Sequence, residues 1–142
     1  MLAALWWGSL TGLGFVVVPM LFANLGNPAV AGGMAAKLFT AQTWLSIVCT
    51  MLLLMVLNQK NLGAQGLFSG VAIKLVVTGI FLAVLVEFGV SPRIVNARLM
   101  GGDLRLWHAL GSAMYLGQWL CAGFALWHLS RRPVALEIPA DT

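Results

Sequence analysis

Four apolar stretches of about twenty residues, separated by short polar gaps, account for nearly the whole chain of 142 residues. The hydrocarbon core of a bilayer is about 30 Å thick and is crossed by about 20 apolar helical residues. Hydrophobic residues make up 61% of the chain and charged residues 8%, which leaves too few polar side chains to cover a soluble globule. We therefore expect an all-α integral membrane protein, a bundle of four transmembrane helices, with no separate soluble catalytic domain.

Turn and cap residues set the expected limits of these helices. The segment Gly26-Asn27-Pro28 should end the first helix, with residues 29–37 as a short lead-in to the second. Ser91-Pro92 should end the third helix, and Asp103 is a plausible N-cap for the fourth. The predicted helices cover about residues 2–25, 38–58, 67–90 and 104–130, followed by an extended or disordered tail at 131–142. The first apolar run has no basic segment before it, so we expect it to be retained rather than cleaved as a signal peptide.

Small residues at helical spacing indicate where helices pack closely. Gly8 and Gly12 form a GxxxG pair, and Pro19 on the same face should bend the first helix. Ala113 and Gly117 form a second small pair in the last helix. Such faces are more often used for helix packing than for binding a ligand.

Other polar, aromatic and sulfur residues have simple structural interpretations. Thr43, Ser46 and Thr50 share one face of the second helix, where we expect bonds to their own backbone or to a neighbouring helix. Cys49 and Cys121 lie inside apolar segments and should be reduced packing residues. The tryptophans near helix ends, which are Trp6, Trp7, Trp107 and Trp127, are expected to anchor the helices at the membrane interface.

Two charged residues, Lys74 and Glu87, fall inside the third apolar segment. Intramembrane charges are candidates for function. These two lie roughly 20 Å apart along one helix and cannot pair. Lys74 has a long stem that can carry its ammonium group to the interface, and this interpretation competes with a buried functional role.

Most of the remaining polar chemistry lies between Glu87 and His108. We predict a polar clasp here that joins the last two helices and forms a possible ligand or partner site. His108, Ser112, Tyr115 and Trp119 share a face of the last helix and are expected to point into the bundle. The residues predicted for the clasp and its surroundings are Glu87, Asn96, Arg98, Arg105, His108, Ser112 and Tyr115.

Three short motifs resemble a known family. They are Gly12-x-Gly14 through Leu21-Phe22, Ala36-Lys37-Leu38-Phe39, and Val95-Asn96-Ala97-Arg98 followed by His108-Ala109-Leu110-Gly111-Ser112. On these residues the chain is similar to the TMEM205-like family of four-helix membrane proteins, whose prokaryotic members are grouped as DUF4149. Eukaryotic members have a long polar insertion before the last helix, where this chain has Gly101-Gly102-Asp103. The resemblance implies the fold and no agreed biochemical activity.

Three functions compete. The favoured hypothesis is a non-enzymatic membrane protein that acts by helix association, as a homo-oligomer or as an accessory subunit of a larger complex. A small transporter would line a polar path with Lys74, Glu87, Arg98 and His108. A haem or copper protein would use His108 or His128, which lie about 30 Å apart along one helix and could not share a metal within a chain.

The composition also bears on cofactors, partners and location. No cofactor, no metal site and no catalytic group is predicted. The net charge of +4 comes mainly from residues at helix ends, which suit lipid headgroups rather than nucleic acid. We expect a protein of the bacterial inner membrane with both termini on the same side, and the basic residues do not decide which side.

Overall fold

The computed structural model describes residues 1–63 and 70–131 of the chain, and these residues form helices and short connections. Within these described ranges, four helical units are long and apolar enough to cross a membrane, as predicted. We call them span 1 to span 4. They are Leu2–Asn24, Pro28–Asn58, Gly70–Met100 and Leu104–Ser130.

Two of the four spans are interrupted by a π-helical turn. Span 1 consists of α1 (Leu2–Thr11), a π-helical segment (Gly12–Val17) and α2 (Val18–Asn24). Span 2 lies within α3 (Pro28–Gly63). Span 3 consists of α4 (Gly70–Leu85), a second π-helical segment (Val86–Val90) and α5 (Ser91–Met100), and span 4 is α6 (Leu104–Ser130). Spans 1 and 4 therefore match their predicted limits to within one residue.

Span 2 begins at Pro28, ten residues earlier than predicted. The side-chain oxygen of Asn27 accepts a hydrogen bond from the backbone N–H of Ala29 at 2.9 Å, and the Asn27 carbonyl accepts one from Ala31 N–H at 3.0 Å. Asn27 is thus a helix cap, and proline is well suited to the first helical position because it needs no N–H donor there. The supposed lead-in is the first part of the helix, with Ala31 and Ala35 buried in the bundle.

Span 3 continues to Met100, so the prediction that Ser91-Pro92 ends it was wrong. A proline inside an α-helix removes one hydrogen bond and its ring collides with a carbonyl in the preceding turn. Here the wider π-helical turn at Val86–Val90 comes directly before α5 and relieves that conflict. The predicted first residues of this helix, 67–69, lie outside the described ranges, and so does the predicted tail beyond Arg131.

The connection between spans 3 and 4 is tight. Gly101 adopts a left-handed conformation with φ of 76°, and the N–H of Gly102 bonds to the carbonyl of Ala97 at 3.0 Å. A left-handed glycine of this kind ends many helices. Asp103 then accepts a hydrogen bond from Leu106 N–H at 3.0 Å, which confirms the predicted N-cap.

The spans alternate in direction, and each packs against its neighbours in the chain, with span 4 closing against span 1. The apolar core is built around Trp6 and Leu10, which are both fully buried. The prediction that Trp6 is an interfacial anchor was wrong, because Gly79 on span 3 leaves room for its indole. Cys49 and Cys121 are free and lie in the packed helices, as predicted.

Candidate functional site

Glu87 of span 3 forms a hydrogen bond with a residue of span 2. It lies in the π-helical segment of span 3, and its Oε1 accepts a hydrogen bond from Thr40 Oγ1 at 2.8 Å. Within the described ranges, no hydrogen bond or ion pair joins Glu87 to Asn96, Arg98 or His108. The carboxylate therefore links spans 2 and 3, whereas the predicted clasp linked spans 3 and 4.

The other clasp residues lie at the same end of the bundle but face different surroundings. Asn96, Arg98, Arg105 and His108 are all exposed. The Arg98 guanidinium lies above Gly32 of span 2, where a Cβ would be 3.0 Å from Nη2. His108 and Ser112 were expected to face the interior, and this was wrong, because both are exposed. A functional role for these side chains stays a prediction.

Tyr115 and Trp119 do face into the bundle, and both bind span 1. The Tyr115 hydroxyl donates to the carbonyl of Leu10 at 2.8 Å, and Trp119 Nε1 donates to Thr11 Oγ1 at 2.9 Å. The tyrosine ring lies on Gly14, where a Cβ would be 2.7 Å from Cε1. Phe39 of span 2 packs edge-on against the same ring at a centroid distance of 5.1 Å. Gly14 and Phe39 belong to motifs that carry the family resemblance, and the structure gives them this packing role.

The main polar contact of the interior was not predicted as a unit. Gln118 Nε2 donates to Ser46 Oγ at 3.1 Å, and Gln42 Nε2 donates to Ser9 Oγ at 2.9 Å and lies 3.4 Å from Ser46 Oγ. Ser46 is fully buried, and the two glutamines are 4% and 8% exposed. These residues, Ser9, Gln42, Ser46 and Gln118, form what we call the polar layer, which joins spans 1, 2 and 4.

The polar layer had a partial signal in the sequence. Ser46 was placed on a polar face with Thr43 and Thr50, and the two threonines do bond to carbonyls of their own helix at Phe39 and Ser46. Gln42 lies one turn before Ser46, but the partner Gln118 is 72 residues further along the chain. Helical spacing reveals neighbours on one helix and does not reveal pairing across helices.

Some of the predicted packing residues lie at contacts between spans of the described chain, and others do not. A Cβ at Gly117 would lie 3.2 Å from Leu82 Cδ1, so this glycine serves the contact between spans 3 and 4. Among the described residues, a Cβ at Gly8 or Gly12 would meet nothing within 4 Å. Pro19 and Ala113 are exposed. The GxxxG pair of span 1 is therefore not used in the packing of residues 1–63 and 70–131 on one another.

The remaining candidates do not converge on one place. Lys74 is exposed on span 3, thirteen residues before Glu87. His108 and His128 are exposed near opposite ends of α6. In residues 1–63 and 70–131, no group of three or more His, Cys, Asp or Glu side chains is arranged to hold a metal ion.

Comparison with known proteins assigns the chain to a family. The family described as a domain of unknown function, DUF4149, matches residues 1–103, which cover spans 1 to 3 and end at the N-cap of span 4. The Val95-Asn96-Ala97-Arg98 motif lies within this match, and His108 to Ser112 lie beyond it. No curated protein and no solved structure matches the chain. With nearly three quarters of its length matched, the chain belongs to the DUF4149 family.

Proposed function

We propose that this protein is a non-enzymatic membrane module of the plasma membrane that acts by helix association, forming a homo-oligomer through the outer face of span 1. The observation that carries the proposal is the open GxxxG pair: nothing in the described chain lies within 4 Å of a Cβ built at Gly8 or Gly12. In lipid, small residues at this spacing let two helix backbones approach closely.

The surroundings of Gly8 fit a second helix. Ala4, one turn before it, is also exposed, so Ala4, Gly8 and Gly12 form a continuous shallow stripe. Leu5 and Val16, beside the stripe, are 55% and 53% exposed and could pack against the flanks of a partner helix. A stripe with large side chains at its edges offers close contact over several turns.

A second copy of this chain is the partner that best suits this face. Span 1 carries no charged side chain that would select a different subunit by charge. A two-fold axis would place the stripe of one copy against the same stripe of the other, so the surface is its own complement. An accessory role in a larger complex would need another occupant for the same stripe.

Disulfide cross-linking in native membranes tests the contact. Ala4→Cys should give a cross-linked dimer on mild oxidation, because a two-fold axis beside the stripe brings the two copies of position 4 together. Val48→Cys is the matched control, since Val48 is 54% exposed and lies on span 2, outside the stripe of span 1. The native Cys49 and Cys121 are first replaced by alanine, so that any bond formed is the engineered one.

The expected result is a dimer from Ala4→Cys that Gly8→Leu in the same chain reduces at least several-fold. Equal cross-linking from positions 4 and 48 would indicate random collision in the membrane and would contradict the proposal. Cross-linking from position 4 to a different protein would favour the accessory-subunit alternative.

A further inference from the structure

An aromatic groove opens on the lipid-facing surface between spans 1 and 4. It is apolar almost throughout, and it ends near the C-terminus of span 4. Its lining residues are Trp7, Trp119, Leu120, Gly123, Phe124 and Trp127. This groove takes no part in the stripe described above, because Trp7 turns toward span 4 whereas Gly8 faces outward.

The groove depends on the absence of a side chain at Gly123. A Cβ at this position would lie 2.9 Å from Trp7 Nε1 and 3.3 Å from its Cδ1, so any side chain here would displace the indole that forms one wall. The other wall is held by Trp119, whose ring lies 5.8 Å from that of Trp7 and 5.4 Å from that of Phe15. The hydrogen bond from Trp119 to Thr11 fixes this ring in place.

The length of the groove matches one half of a bilayer. Trp119 and Trp127 are eight residues apart on α6, which is about 12 Å of helix. One leaflet contributes about 15 Å of hydrocarbon. An acyl chain lying along the groove would thus run from near the middle of the membrane to its surface.

The positively charged side chain of Arg131 lies at the end of the groove that is nearest the membrane surface. The Arg131 guanidinium stacks on the Trp127 ring with its Cζ 3.9 Å from the ring centroid. Within residues 1–63 and 70–131, Arg131 makes no ion pair with a carboxylate. The charge is held at the mouth of the groove and is complementary to an anionic headgroup.

We infer that this groove is a binding site for an anionic phospholipid of the leaflet that faces the chain termini. The aromatic walls hold one acyl chain, and Arg131 binds the phosphate of the headgroup. Both headgroups carry a phosphate, but the choline cation of a zwitterionic lipid offsets the attraction of its phosphate to Arg131. The preference for the anionic lipid therefore comes from Arg131, since the walls contact only hydrocarbon.

Quenching of tryptophan fluorescence by brominated lipids tests this site in reconstituted bilayers. Every variant also carries Trp44→Phe and Trp107→Phe, because both tryptophans lie outside the groove and would add unrelated quenching. Brominated phosphatidylglycerol is compared with brominated phosphatidylcholine. We expect phosphatidylglycerol to bind about five-fold more tightly, the effect of one arginine close to a headgroup of net negative charge.

Arg131→Gln should reduce this preference to near one-fold. Lys74→Gln is its control, because Lys74 is an exposed cation in the same half of the bundle. Gly123→Leu should reduce quenching by both lipids, whereas Gly33→Leu, a change at an open glycine, should not. A preference that survives Arg131→Gln, or that Lys74→Gln removes equally, would overturn the inference. Unchanged quenching in Gly123→Leu would do so as well.

Discussion

Replacement of Gly79 by alanine is expected to lower the free energy of unfolding by about 1–3 kcal/mol, the usual cost of forcing extra volume into a packed interior. A Cβ at this position would lie 2.6 Å from Cη2 and 2.9 Å from Cζ2 of Trp6. Trp6 is fully buried, so its ring has no space into which it can move freely. Unfolding monitored in bicelles or by titration with SDS measures the effect.

Trp6→Phe should relieve that clash, because phenylalanine lacks the two atoms that meet the new Cβ. The decrease in the free energy of unfolding caused by Gly79→Ala should then be at least 1 kcal/mol smaller in the Trp6→Phe background. Trp6 Nε1 is buried with no partner among the described residues, so the change to phenylalanine breaks no hydrogen bond. Gly33→Ala serves as the control, since a Cβ there meets nothing within 4 Å in the part of the chain that the structure describes. Additive effects of the two substitutions would show that the ring does not rest on Gly79.

Ser46→Ala is expected to cost about 1–3 kcal/mol of unfolding free energy, because the substitution removes the acceptor shared by two buried glutamines. The bilayer interior contains no water that could replace the Ser46 hydroxyl as an acceptor. Thr78→Ala, on the exposed surface of span 3, should change stability by less than about 0.5 kcal/mol.

A second change separates a hydrogen-bond effect from a packing effect. Gln118→Leu removes the donor of the shorter hydrogen bond to Ser46. In this background, Ser46→Ala should therefore lower the free energy of unfolding by less than it does in the natural chain. Equal losses of unfolding free energy in the two backgrounds would mean that the hydrogen bond between Gln118 and Ser46 contributes nothing to stability.

The sequence was sufficient for the number and type of helices because each span repeats one strong signal, a long uncharged apolar run. It misplaced the start of span 2 because the small residues 29–37 were taken as a lead-in, and the end of span 3 because Ser91-Pro92 was taken to end a helix. Pro28 begins a helix behind the Asn27 cap, and Pro92 continues one behind a π-helical turn. Both outcomes depend on a few local backbone bonds that apolar periodicity does not report.

The site was harder to predict because it depends on which helices are neighbours. Glu87 and His108 are close in sequence, yet Glu87 binds Thr40, 47 residues away. Trp6 resembled an interfacial anchor by its position near a helix end, but Gly79 of another span makes room for it in the core. For Gly8 and Gly12 the sequence indicated a packing face, and the structure adds that this face points away from the chain's own bundle.

The mass of the protein in native nanodiscs, extracted without detergent, tests most directly whether the chain acts by association through span 1. We expect a dimer or a larger homo-oligomer for the natural chain and a monomer for Gly8→Leu, with Gly33→Leu unchanged. A natural chain that is monomeric in its own membrane and carries no partner would contradict the account.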